Sequence, residues 1–243
     1  MEKLRIGLVG TSQLSFPGNK EAAFAACAKA MEKHAEDMGF ELLVYPETVI
    51  VREDAVKAVK AMEEAKIDFL MVQHTSYSAG QLAPVLAKIK DANVGFWAIP
   101  EGEAIEGAVP FNSLCSINMH MGIVAHYLKD YKIKVKWFYG YGEDKEFTRR
   151  LQITVRALTA IKNLKKARIG LVGGVAPGLT IFMMMKEIST DVSRASILID
   201  FTNMMNLKQK LWLIQWTRSE RLWIKWKPAP ADIPMMLQRK LLR

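Results

Sequence analysis

Apolar and polar positions over the first 172 residues switch repeatedly between a strand period and a helix period. Residues 4–9 are apolar except for Arg5, the mark of a strand buried on both faces of a parallel sheet. A polar loop with Pro17-Gly18-Asn19 follows. It leads into a predicted helix over 20–38, with Phe24, Cys27, Ala28 and Met31 on one face and Gly39 as its stop. Further strands are predicted at 41–45, 68–73, 94–98 and 135–139, and further helices at 51–66, 81–92, 112–128 and 143–165. The helix over 51–66 is expected to turn Val56, Val59 and Met62 inward. Strands alternating with helices in this way imply βαβ units, and hence an α/β fold with a doubly wound, Rossmann-like parallel sheet.

A sixth strand begins at Arg168. Its run Ile169-Gly170-Leu171-Val172-Gly173 repeats Ile6-Gly7-Leu8-Val9-Gly10 residue for residue, after a lysine-rich junction at 161–168. The echo predicts an α/β amino-terminal domain over 1–165 and the first strand of a second, truncated α/β domain over 166–178.

Composition changes the picture after Gly178. Residues 179–243 hold seven of the 14 Met and four of the six Trp, with 11 Lys/Arg against 5 Asp/Glu. That segment therefore supplies +6 of the formal charge of +9, and the basic balance says little about the body. Met and Trp each have a single codon, so a shifted frame can be read without the gene. From each third base, Met183-Met184-Met185-Lys186-Glu187 becomes Asp-Asp-Glu followed by Arg or Gly. The same reading turns Trp216, Trp223 and Trp226, each with its next residue, into Asp, Asp and Glu. A basic Met/Trp-rich tail becomes an acidic one of ordinary composition. We therefore expect 179–243 to be out-of-frame translation and poorly ordered. The competing reading takes the tail at face value, with Trp212, Trp216, Trp223 and Trp226 interleaved among lysines and arginines. Such a segment suits an anionic membrane or single-stranded nucleic acid. The frame argument accounts for Met and Trp together, so neither membrane nor nucleic acid is expected as a partner.

Half of the residues are apolar, enough for a substantial core. No run of 18 apolar residues and no signal peptide is present, which predicts a cytoplasmic protein. Cys27 and Cys115 fit no metal or disulfide spacing and are expected to be buried small residues.

The candidate chemistry lies where strands end. Gly7, Gly10, Gly173 and Gly174 do not form a GxGxxG fingerprint, so no dinucleotide cofactor is expected, and tight strand-to-loop turning is their predicted role. Thr11-Ser12-Gln13 follows the first strand and His74-Thr75-Ser76-Tyr77-Ser78 the third. Neutral hydroxyls and amides beside an aromatic ring suit an uncharged polyhydroxylated ligand, whose hydroxyls need partners when buried. Capping of the following helices accounts equally well for the same Ser and Thr residues. Glu101 and Glu103 read as a solvated acidic loop in preference to an acid–base pair. His120 and His126, six apart on one helix, point to different faces, and His34 is placed on a charged helix surface. No catalytic residue and no metal site is visible in 1–178.

With these residues in view, 1–178 resembles the amino-terminal part of the L-fucose/L-arabinose isomerase-like sugar isomerases. The resembling stretches are Ile6 to Gln13, His74 to Ala79, Asn112-Ser113-Leu114-Cys115 and Gly173 to Gly178. The resemblance implies aldose–ketose isomerisation of a monosaccharide through an enediol, with a divalent metal, usually Mn2+, in a homo-oligomer. The family draws its metal-binding carboxylates and histidine from a later part of the chain, where this sequence departs from it completely. No cofactor is therefore expected in this chain, which should be inactive alone. Gln13, His74, Ser76 and Tyr77 are the substrate-binding candidates; Gln13 and the Ser76-Tyr77 region match family positions that contact sugar across a subunit interface. A metal-free sugar-binding or interaction module is the alternative.

Overall fold

A computed structural model describes residues 2–165 and the backbone of two further strands, Arg168–Val172 and Ile197–Phe201. The chain divides into two compact units: residues 2–165 fall within the first, and residues 168–172 and 198–201 within the second. In the first unit, strands β1 (Arg5–Thr11), β2 (Glu41–Val44), β3 (Phe69–His74), β4 (Asn93–Ala98) and β5 (Val135–Tyr139) alternate with five helices. These are α1 (Lys20–Met38), α2 (Arg52–Glu64), α3 (Ala83–Ala87), α4 (Ser113–Tyr127) and α5 (Lys145–Leu164). Beyond this unit, β6 (Arg168–Val172) and β7 (Ile197–Phe201) form a two-stranded sheet. Apart from β7, the expectation of poor order over 179–243 falls outside the described residues.

All four strand pairings of the main sheet are parallel, in the order β2-β1-β3-β4-β5. The fold is a doubly wound α/β fold. Connections run one way from β1 to β2 and the other way from β2 through β3 to β5, so the order reverses between β1 and β3. Open sheets of this kind bind ligands in the crevice outside such a reversal.

Each face of the sheet buries its own core. On one face Val9, Leu70, Val72 and Phe96 pack with Ala55, Ala58 and Met62 of α2 and with Ile117 and Val124 of α4. On the other, Leu8, Phe69, Met71, Trp97 and Phe138 pack with Cys27 and Met31 of α1 and with Phe147 and Leu151 of α5. Every residue of β3 is buried, as its apolar run Phe69-Leu70-Met71-Val72 requires of a central parallel strand, and the burial extends to the polar Gln73 and His74 at its end. The Trp97 ring lies 4.4 Å from that of Phe147, and its Nε1–H donates to Gly140 O at 2.8 Å. Asn19 caps α1 by accepting from the Ala22 N–H at 3.0 Å, and Gly39 ends the helix at φ 74°.

Several local expectations are corrected. Met62 is buried and Val59 partly buried against the core as expected, but Val56 is exposed; Ala55 and Ala58 face the sheet in its place, because small residues let the helix approach. The third helix is only five residues long; residues 88–92 return to the sheet, where Asn93 N–H donates to Asp68 O at 3.0 Å. Cys115 is exposed. His34 is buried, its Nε2 2.7 Å from Gly142 O. Gly7 and Gly10 do not make turns. A Cβ at Gly7 would come within 2.5 Å of Met62 Sδ, and one at Gly10 within 2.7 Å of the Phe24 ring. Both are therefore sites of close side-chain approach within β1.

Candidate functional site

Thr11 of β1, His74 of β3 and Ala98 of β4 stand in register at the carboxyl ends of three adjacent strands. The loops leaving these ends meet one another. Thr75 N–H donates to Thr11 O at 2.9 Å, Gln13 N–H to Ser76 Oγ at 2.9 Å, and Gly18 N–H to Pro110 O at 3.0 Å. Tyr77 N–H donates to Phe111 O at 2.6 Å, and the Tyr77 ring lies 5.7 Å from that of Phe16. Two of these loops, 12–19 and 75–80, therefore flank the reversal point of the sheet.

Beneath the loops lies a buried polar layer. Thr11, Ser12, His74, Ser76, Ser78, Ser113, Ser116 and His120 are all enclosed. Ser116 Oγ is its hub: it lies 2.9 Å from His74 Nδ1 and 2.9 Å from Ser78 Oγ, and it accepts the Ser78 N–H at 3.0 Å. Thr11 Oγ1 donates to Ser78 Oγ at 3.2 Å. Ser113 accepts the Ile99 N–H at 3.1 Å and donates its hydroxyl to the His74 carbonyl, joining the ends of β3 and β4 to the first turn of α4. The α4 start is held from outside as well. Both Glu101 oxygens are engaged, with Phe111 N–H at 3.0 Å and Ser113 N–H at 3.1 Å, so a carboxylate satisfies amides that the Asn112 side chain does not.

The two enclosed imidazoles meet edge to face, their centroids 4.6 Å apart. His120 Nε2 lies 3.2 Å from the Ala79 carbonyl, an acceptor only, so this nitrogen carries the hydrogen. His120 Nδ1 and His74 Nε2 are buried without a hydrogen-bond partner among the described residues. Burial lowers the His120 pKa to about 4, against a partial upward pull from the Ala79 and Ser78 backbone. Burial, and then the neighbouring His120, hold His74 well below the ordinary histidine range. Both rings are neutral at pH 7. The hydrogen-bonded layer thus consists of hydroxyls and neutral imidazoles with no charge inside it.

Of the sequence candidates, the structure brings Gln13, Ser76 and Tyr77 together at the rim and sets His74 behind them. Gln13 and Tyr77 are half-buried; the Gln13 side-chain amide makes no hydrogen bond to the described residues, and the Tyr77 hydroxyl reaches only Met119 Sδ at 3.5 Å. Ser76 and His74 are enclosed, and their polar atoms hold the loops. Sequence reasoning missed the support from α4. Its signal is present: Ser113, Ser116 and His120 recur at i, i+3 and i+7, a polar stripe on one face of a largely apolar helix.

A divalent metal needs converging carboxylates or imidazoles. Among the described residues no three His, Cys, Asp or Glu side chains come together, and the His74–His120 pair has no carboxylate beside it. These residues do not fit a manganese site, and no metal-dependent step is assigned to them. No helix among the described residues is long and apolar enough to cross a membrane. No protein-family model and no curated protein matches the chain.

Proposed function

We propose that residues 1–165 form a monosaccharide-contacting domain of an aldose–ketose isomerase of the fucose/arabinose type. In that family the metal and its proton-moving carboxylate are supplied from a later part of the chain. One observation carries the reading: at the rim of the β1/β3 crevice the Gln13 amide, without a hydrogen bond to the described residues, and the half-buried Tyr77 adjoin a buried polar layer of hydroxyls and neutral imidazoles. A sugar hydroxyl pairs with an amide at no charge cost, whereas an ionised ligand would find no counter-charge in that layer. Gln13 supplies the hydrogen bonds and Tyr77, backed by Phe16, an apolar face for a pyranose ring. Ser76 and His74 are positioning residues that fix the two loops.

The test is calorimetry on the full chain with a panel of pentoses and hexoses. Saturable binding is expected, weakened about fivefold by Gln13→Ala, the scale of one lost hydrogen bond of about 1 kcal/mol. Absence of saturable heat with every sugar, or indifference to Gln13→Ala, would overturn the reading. In a parallel assay with Mn2+ and L-fucose, L-arabinose or D-arabinose, the chain alone should turn over no faster than the metal-only control. Turnover above that control would show that the chain carries the chemistry itself.

A further inference from the structure

The amino ends of β4 and β5 lie at the opposite edge of the sheet from the Gln13–Tyr77 rim; β4 alone, at about 3.3 Å per residue, puts roughly 17 Å between the two edges. There the chain frames a cleft of about 660 Å3. One wall is the turn after α3, carrying Lys88 and Lys90, and the other is the segment entering β5, carrying Lys132 and Lys134. No Asp or Glu among the described residues lines it, although Asp91 and Asp130 adjoin its lining in sequence. Among the described residues no carboxylate lies within ion-pair distance of any of the four ammonium groups. The adjacent Glu63 carboxylate accepts the Lys90 backbone N–H at 2.9 Å and leaves the Lys90 side chain unpaired.

We propose that this cleft binds a compact, multiply charged phosphate anion of the diphosphate type. Four ammonium groups around one opening repel one another, and an anion carrying several charges offsets more of that repulsion than a singly charged one. Lysine offers a point charge with rotatable donors, without the planar fork of arginine, so the cleft selects by the number of charges more than by their geometry. Single-stranded nucleic acid needs open aromatic faces for its bases. Tyr131, the one ring among the described lining residues, has Lys88 Nζ 3.8 Å above its centroid. A ligand here acts apart from the sugar rim and is independent of that assignment.

The experiment is a calorimetric titration of the full chain with inorganic pyrophosphate, inorganic phosphate and adenosine diphosphate at low salt. Pyrophosphate should bind saturably at one site and about tenfold more tightly than phosphate. Equal affinity for adenosine diphosphate assigns the site to the diphosphate group itself, and tighter binding to a molecule that carries it. The paired substitution Lys90→Gln/Lys134→Gln, one from each wall, should weaken pyrophosphate about tenfold, the scale of two lost charge attractions. Lys33→Gln/Lys57→Gln, two exposed lysines outside the cleft, makes the same change in net charge and should leave affinity within about twofold. Equal losses from both pairs would overturn the proposal in favour of a diffuse field, to which the eleven Lys/Arg of 179–243 also contribute. So would absence of saturable binding, or tight binding of a single-stranded oligonucleotide without pyrophosphate binding.

Discussion

Taking the protein from pH 7 to pH 4 is expected to remove about 3 kcal/mol of stability through His120 alone. The unfolded chain protonates this ring near 6.5, whereas the fold holds its pKa down to about 4. A base depressed in the native state stabilises fully above the unfolded value and loses that contribution as pH falls from 6.5 towards 4. His74 is depressed for the same reason and adds loss of the same sign over the same window. The cost is steep because a charged imidazole here finds no carboxylate beside it, only the Ala79 carbonyl, a hydroxyl, Phe96 and the other ring. Urea unfolding at pH 7, 5.5 and 4 measures it, read against His120→Leu. That variant lacks the titrating ring, so its stability should fall by about 3 kcal/mol less over the same range. An equal fall in both proteins would place the acid sensitivity elsewhere.

Ser113→Ala is the second large effect, a loss of roughly 2–4 kcal/mol. The hydroxyl serves two main-chain groups at once, the Ile99 N–H and the His74 carbonyl, both enclosed at strand ends. Alanine leaves both without their side-chain partner and gives water no route to replace it, so each unmet group adds its own desolvation cost. The cavity itself is one atom wide and contributes little. Urea denaturation at pH 7 is the measurement, and a loss under about 1 kcal/mol would mean that neighbouring groups re-pair the two amides. Because Ser113 also sets the start of α4, the variant should weaken sugar binding at the rim without touching the rim residues.

The sheet could be read from the chain because burial on both faces leaves an unbroken apolar run, and β3 and β4 carry such runs. The polar loop ending at Asn19 and the stop at Gly39 bracketed α1, whose bounds the structure bears out. What escaped the reading depends on partners far away in sequence. His34 sits among charged neighbours, and only Gly142, 108 residues on, shows why it is buried. Gly7 and Gly10 suggested turns because the residues that crowd them, Met62 and Phe24, lie on helices whose packing the local pattern does not encode. Helix α2 followed the same logic: Val56 is the more apolar residue, yet Ala55 and Ala58 face the sheet because their size suits the approach. At the candidate site the two rim loops were legible from their polar runs after strands. The layer that supports them was not, because Ser113 and Ser116 look like ordinary helical serines until His74 is placed beside them.

The hydrogen bonds that fix the rim have a further consequence for the order of events at birth. Thr11 and Ser116, both tied to Ser78, are separated by 105 residues, the difference of their positions. At about 5–20 residues per second, the ribosome takes roughly 5–20 s to make the second after the first. For most of that interval the first rim loop lacks even its partner strand β3, and for the rest it lacks the pillar from α4 that closes the layer. A nascent chain halted before α4 also lacks β5; it is therefore expected to pair β2, β1, β3 and β4 yet offer no finished crevice, and the proposed sugar recognition would be a late property of synthesis.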